Sequence, residues 1–196
     1  DVEKMRAIAP REEMAYLMET IGLVKRELNG LVPLIGFAGA PFTLASYIIE
    51  GGGSRNYILT KSFMYRDPAA WRLLMEKLTD MAIAYLNDQI AAGVQAVQVF
   101  DSWVGCLSPA DYRDFVLPHQ KRLLCSLNRE VPSIHFAFGA SHLLPLVREA
   151  GGDVIGVDWR TEIGAAWKAL DYGPGIQGNL DPVALHIRVA VQVGWA

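Results

Sequence analysis

Six polar side chains sit where this sequence could do chemistry: Tyr47, Asp101, Ser102, His135, Asp158 and Asp181. Asp101, Ser102 and Asp158 close apolar runs of β character, and the C-terminal end of a strand is where α/β barrels carry working side chains. Asp101, Asp158 and Asp181 with His135 would make an oxygen-rich set suited to a metal-dependent barrel hydrolase. For each aspartate the commoner role is to cap the next helix or accept loop amides. His135 lies inside a strand rather than after it, which favours a hydrogen-bonded core histidine. Tyr47 follows a glycine turn on a short helix, from which its hydroxyl could reach a ligand carboxylate, although packing beneath that helix is the ordinary role. Ser102 divides evenly between a ligand contact and a turn cap.

The elements that must position these groups can be read from the pattern. Gly36 to Ser54 runs from an apolar strand through a glycine-bracketed turn into a helix marked by Pro41 and Thr43, then stops on Gly51-Gly52-Gly53. That arrangement shapes a strand end into a binding floor. The three glycines follow a helix rather than a strand and lack a Gly-Lys-Ser/Thr ending, so they read as a helix stop and lid, not a phosphate loop.

Around this stretch, Met14, Leu17, Met18, Ile21, Val24 and Leu28 share one face of a helix over 12–28. Leu31 to Phe37 reads as a buried strand. A further helical pattern covers 56–65, and Asp67-Pro68 starts a long helix with Trp71, Leu74, Met75, Leu78, Met81, Ala82 and Tyr85 inside, ended by Gly93. Val94 to Phe100 is the next strand, and Ser108-Pro109 with Asp111 restarts a helix to about residue 129. Shorter units follow: strands at 133–138, 154–157 and 175–178, with helices at 141–150, 161–170 and after Asp181-Pro182.

Five strands thus alternate with helices and no hairpin turn joins any pair, which requires parallel strands with right-handed crossovers. Polar residues cluster after every strand, as in a (β/α)8 TIM barrel, whereas an open doubly wound sheet concentrates its site at one switch point. Five units do not close a barrel, so residues 1–196 are expected to form a single, incomplete barrel domain with three strands elsewhere.

Composition narrows the functional classes. A chain of 196 residues, 52% hydrophobic, can bury a substantial core. A net charge of −3 with interspersed signs gives no basic stripe for nucleic acid. No apolar run is long enough for a bilayer span, and the first residues are charged rather than basic-then-apolar, so a cytoplasmic protein is expected. Cys106 and Cys125 suggest neither a disulfide nor a zinc knuckle and are expected to be small buried thiols.

The run Gly36-Phe37-Ala38-Gly39-Ala40-Pro41-Phe42-Thr43-Leu44, with Tyr47 and Glu50-Gly51-Gly52, resembles a signature of the uroporphyrinogen decarboxylase family. Gln98-Val99-Phe100-Asp101-Ser102-Trp103, Gly156-Val157-Asp158-Trp159-Arg160 and Gln177-Gly178-Asn179-Leu180-Asp181-Pro182 are similar to its strand-end motifs, in order and spacing, and the likeness extends to about Leu185. The resemblance implies a TIM barrel of which this chain supplies strands three to seven. It also implies a cofactor-independent, metal-free decarboxylase of haem biosynthesis that removes four acetate carboxyls from uroporphyrinogen III to give coproporphyrinogen III, and a homodimeric assembly. Tyr47 and Ser102 match the family's substrate-contacting tyrosine and serine, and Phe100 matches an aromatic lining the cleft. The family's arginine motif, its pyrrole-binding aspartate and its late histidine have no counterpart here, so no catalytic residue is assigned within this chain and the chain alone is expected to be inactive. The segment 186–196 departs from the family pattern, and no function is placed on it.

Two rivals remain. A corrinoid and zinc methyltransferase of the same superfamily would need His-x-Cys where this chain has His135-Phe136-Ala137, and zinc favours that thiolate. A non-catalytic barrel that binds a tetrapyrrole is the other.

Overall fold

The computed structural model describes residues 1–6 and 8–185. Its five strands, β1 (Ile35–Gly39), β2 (Ala96–Asp101), β3 (Ser133–Ala137), β4 (Val154–Gly156) and β5 (Gly175–Gln177), are all parallel and lie side by side in sequence order. Strictly sequential order leaves no switch point, which separates this sheet from a doubly wound one. The expected barrel-type arrangement is present, and it ends after five strands in the described residues.

Proline and glycine set most of the helix ends. The helices are α1 (Pro10–Glu13), α2 (Ala15–Leu28), α3 (Pro41–Glu50), α4 (Ile58–Arg66), α5 (Pro68–Ala92), α6 (Pro109–Phe115), α7 (Leu117–Cys125), α8 (Leu144–Ala150) and α9 (Ile163–Ala169). Pro41, Pro68 and Pro109 open three of them, where a missing N–H costs nothing. Asp67 and Ser108 cap the second and third through Ala70 N–H (2.9 Å) and Asp111 N–H (3.1 Å). Gly51 and Gly93 close α3 and α5 at φ of 73° and 110°, the left-handed conformation that glycine adopts without strain.

Several expected boundaries move. The first strand begins at Ile35 rather than Leu31, because Leu31 and Val32 lie in an exposed turn after the left-handed Asn29 and Gly30. The helix expected over 12–28 breaks at Met14, and the one expected to reach residue 129 breaks at Val116, just before Pro118. The helix after Asp181-Pro182 is a short 3-10 turn over Pro182–Leu185, and segment 186–196 lies outside the described residues. Cys106 is half-buried and Cys125 exposed, so the expectation of two buried thiols fails.

Alternation along the strands divides the sheet into two faces. Ala38, Val97, Val99, His135 and Ile155 face the helices and are buried with Trp71, Leu74, Met75, Leu78 and Leu86 of α5. The other face carries Phe37, Gln98, Phe100 and Phe136, all less covered, and Phe37 is 61% exposed. Across the last rung the register runs Gly39, Phe100, Phe136, Gly156, Gln177. Glycine at 156 leaves room for its neighbour, since a Cβ there would lie 2.7 Å from the Phe136 ring.

The open edge of β1 is stopped by a side chain. Gln89 of α5, 3% exposed, accepts the Phe37 N–H through Oε1 and donates from Nε2 to the Phe37 carbonyl, both at 3.0 Å. The amide thus satisfies the backbone groups of Phe37 as an adjacent strand would. Gly36 makes the approach possible, since a Cβ there would sit 2.6 Å from Gln89 Oε1.

Candidate functional site

The strand ends and the loops beyond them form the candidate site. Thr43, in the first turn of α3, is 3% exposed, and its hydroxyl oxygen accepts the Ser102 N–H at 2.9 Å. Tyr47 lies one helical turn further along the same helix, so this bond locks the helix carrying Tyr47 to the strand end carrying Ser102. Two of the three expected site residues are therefore tied by one side chain that the sequence reading passed over.

Tyr47 is 45% exposed, and its ring meets Trp103 edge to face at 5.9 Å. Trp103 also meets the buried Tyr57 in a tilted contact, with ring centroids 5.5 Å apart. Burial pushes the Tyr57 hydroxyl up to about 12, so it stays protonated at neutral pH. Phe100, the third expected residue, stands on the less covered face between Phe37 (5.8 Å) and Phe136 (5.9 Å), with each pair edge to face. It belongs to an aromatic row crossing three strands.

The glycine stretch at 51–53 ends the helix as expected, but it is strapped. Glu50 accepts both the N–H and the hydroxyl of Thr60 at 3.0 Å, joining the end of α3 to α4, and these bonds hold its carboxyl below the usual range. Gly105, after β2, fills another tight place: a Cβ there would lie 2.7 Å from the carbonyl oxygens of both Phe138 and Gly139. Only glycine lets those two loops close on one another.

The acidic residues go separate ways. Asp158, 5% exposed, accepts Gly139 N–H (2.6 Å) and Arg160 N–H (2.9 Å) and pairs with the Arg160 guanidinium (3.2 Å), so it ties two loops together. Asp181 accepts Val183 N–H at 2.9 Å, an ordinary cap. Asp101 is the last residue of β2 and turns toward the helices, where it is completely buried 3.8 Å from His135 Nε2. His135 is also fully buried, with Nδ1 3.3 Å from the Gly151 carbonyl, as a core histidine would be. The set imagined for a metal is not brought together, and no group of three His, Cys, Asp or Glu suited to a metal occurs among the described residues.

The Asp101 neighbourhood is nonetheless unusual. Both Asp101 oxygens, His135 Nε2 and the hydroxyl of the fully buried Tyr112 lack a hydrogen-bond partner among the described residues. Desolvation raises the Asp101 carboxyl above its ordinary value, opposed by His135 and the Thr43 hydroxyl. A completely buried carboxyl, pushed upward by desolvation, thus lies directly behind Ser102.

This chain matches the family described as uroporphyrinogen decarboxylase (URO-D) over residues 1–190. The chain belongs to the uroporphyrinogen decarboxylase family. Relatives named uroporphyrinogen decarboxylase include that of Carboxydothermus hydrogenoformans, 58% identical over 94% of this chain and 53% of the relative. That of Chloroflexus aurantiacus is 53% identical over the same shares, and that of Pelobacter propionicus is 50% identical over 97% of this chain and 56% of the relative. The chain therefore spans about half the length of the curated relatives it matches. A methyltransferase from Methanosarcina mazei has a similar structure, with a TM-score of 0.75 over 92% of this chain and 53% of that one; at 19% identity this likeness concerns the fold alone.

The sequence reading missed Thr43, Trp103 and Phe136 as parts of the site. Strand parity was the available signal for Phe136, which has the same facing as Phe100 on the neighbouring strand. No local pattern announces that Thr43 meets Ser102 across 59 residues.

Proposed function

We propose that the protein carrying this chain decarboxylates uroporphyrinogen III to coproporphyrinogen III, removing four acetate carboxyls without a cofactor, and that this chain supplies part of the substrate cleft. The observation that carries the reading is the Thr43 bond, which couples Tyr47 to Ser102, the two positions that resemble the family's substrate contacts. A pyrrole protonated at carbon becomes a cation able to accept the electrons released as carbon dioxide leaves, so the protein need only position the substrate and stabilise charge. In this scheme Phe100 and its aromatic row pack against the macrocycle, while the Tyr47 and Ser102 hydroxyls hold substrate carboxylates. The groups that drive the reaction lie on barrel units outside this chain, so the chain alone does not turn over. A cytoplasmic homodimer is the assembly that fits the family.

A methyltransferase role fits less well. His135, the position matching that rival's zinc ligand, is followed by Phe136 and Ala137 and is buried on the helix side of the sheet.

The reading is tested by kinetics of the protein bearing this chain with the remaining barrel units. Tyr47→Phe removes one hydroxyl from an exposed ring, so the melting temperature should hold. Loss of a hydrogen bond to a charged group should lower kcat/KM by roughly tenfold to a hundredfold. Unchanged kinetics in both Tyr47→Phe and Ser102→Ala would remove these residues from the site.

A further inference from the structure

The aromatic row does not stop at Phe136. Phe136 meets Phe138 at 6.4 Å and Phe138 meets Trp159 at 5.5 Å, so six-membered or indole rings run without interruption from Phe37 on β1 to the loop beyond β4. The row ends in a cation. The Arg160 guanidinium carbon lies 4.1 Å from the Trp159 ring centroid and 4.8 Å from that of Phe138, within range of a cation–π contact with each.

Two features hold this guanidinium in place. The ring contacts fix its plane, and the buried Asp158 accepts from both the Arg160 backbone N–H and Nη1. Asp158 is itself anchored by Gly139 N–H, so the clamp belongs to the loop framework. The Arg160 side chain nevertheless remains 53% exposed, and Asp158 is the one side-chain acceptor bonded to it among the described residues. A guanidinium has five N–H donors in a planar fork. One is engaged by Asp158, and a pre-oriented, half-exposed edge is left to meet an anion.

Stacking without a ligand role would need only the aromatic contacts, and any long side chain could cover those rings. What the arrangement adds is a fixed cation at the end of an apolar floor, a combination that matches a flat macrocycle bearing carboxylates at its rim. From this we infer that Arg160 is a carboxylate-binding residue of the tetrapyrrole cleft, receiving an acidic substituent of a macrocycle that lies along the aromatic row. The inference rests on the tetrapyrrole reading and assigns a cation within this chain to a task otherwise left to the arginine motif outside it. Lysine is no equivalent, because it lacks the planar fork and stacks less well.

The test is fluorescence titration of the protein that joins this chain to the remaining barrel units with uroporphyrin, the oxidised and unreactive macrocycle, at low and at high salt. Wild type should bind, and Arg160→Gln should bind about tenfold more weakly at low salt, with the difference shrinking as salt screens the pair. Arg160→Lys should fall between them, and circular dichroism should show all three equally folded. If Arg160→Gln binds as wild type with the same salt dependence, Arg160 is not a ligand while the tetrapyrrole reading stands. If wild type and Tyr47→Phe of the joined protein alike bind no uroporphyrin, both inferences fail.

Discussion

Replacing Gln89 by leucine should cost about 2–4 kcal/mol of folding stability, the largest effect expected from one substitution outside the core. The Gln89 amide is the partner of both backbone groups of Phe37 on the open side of β1. Leucine has a similar volume and would fill the space, but it leaves one donor and one acceptor unmatched. Each such group costs about 1–3 kcal/mol when buried, and the total is discounted because Phe37 is partly exposed. Urea unfolding of the chain and its variant measures the difference directly. Gln89→Glu should fall between them, since burial favours the neutral acid, which still accepts the Phe37 N–H and can donate to the carbonyl. A change below about 0.5 kcal/mol in Gln89→Leu, the range of an ordinary surface substitution, would mean that water or another strand serves Phe37 instead.

The second large effect is a pH dependence. Asp101 faces His135, Thr43 and Tyr112 in a buried setting that raises its carboxyl above the ordinary aspartate value of 3.8. Between that value and its native one, the folded chain keeps a proton that the unfolded chain has released. The folded state then binds more protons, so stability falls as pH rises through this window and levels off above the native value. One such proton gives a slope of at most about 1.4 kcal/mol per pH unit. Asp101→Asn has the shape of the neutral acid and nothing to titrate. Its stability relative to wild type should therefore climb as pH is raised from about 4. Parallel unfolding profiles for the two proteins across that range would show that Asp101 is ionised in the fold and stabilised by His135.

Much of this architecture was legible because its punctuation is local. Pro41, Pro68 and Pro109 start helices and Gly51 and Gly93 stop them for reasons contained within a turn or two of chain. The parallel sheet followed from alternation and missing hairpins, which are also properties of neighbouring residues. The strand start at Ile35 was missed because Leu31 and Val32 are apolar yet exposed, so hydrophobicity misled where the turn at Asn29 and Gly30 governs.

The candidate site was legible in the residues the resemblance pointed to and hidden in the contacts that hold them. Tyr47, Ser102 and Phe100 came from motif resemblance, and the structure sets Tyr47 and Ser102 on elements joined by Thr43. Asp158 and Asp181 serve loop and cap amides, the commoner role weighed for them. The facing of Asp101 was open to the same parity signal as that of Phe136, since Asp101 is in phase with the apolar Val97 and Val99. The role of Gln89 was hidden because its partner, Phe37, is 52 residues away and brought near only by the sheet; the contact of Arg160 with Phe138, 22 residues away, was hidden likewise, whereas its contacts with Asp158 and Trp159 are local.

If this chain forms part of a decarboxylase cleft for uroporphyrinogen, turnover requires the rest of the barrel. The direct measurement is anaerobic incubation of uroporphyrinogen III with the chain alone and with the protein that joins it to the remaining barrel units, followed by chromatography of the oxidised products. The joined protein should convert substrate through partly decarboxylated intermediates to coproporphyrinogen III, while the chain alone leaves it unchanged. Substrate left intact by the joined protein, or full turnover by the chain alone, would contradict the account.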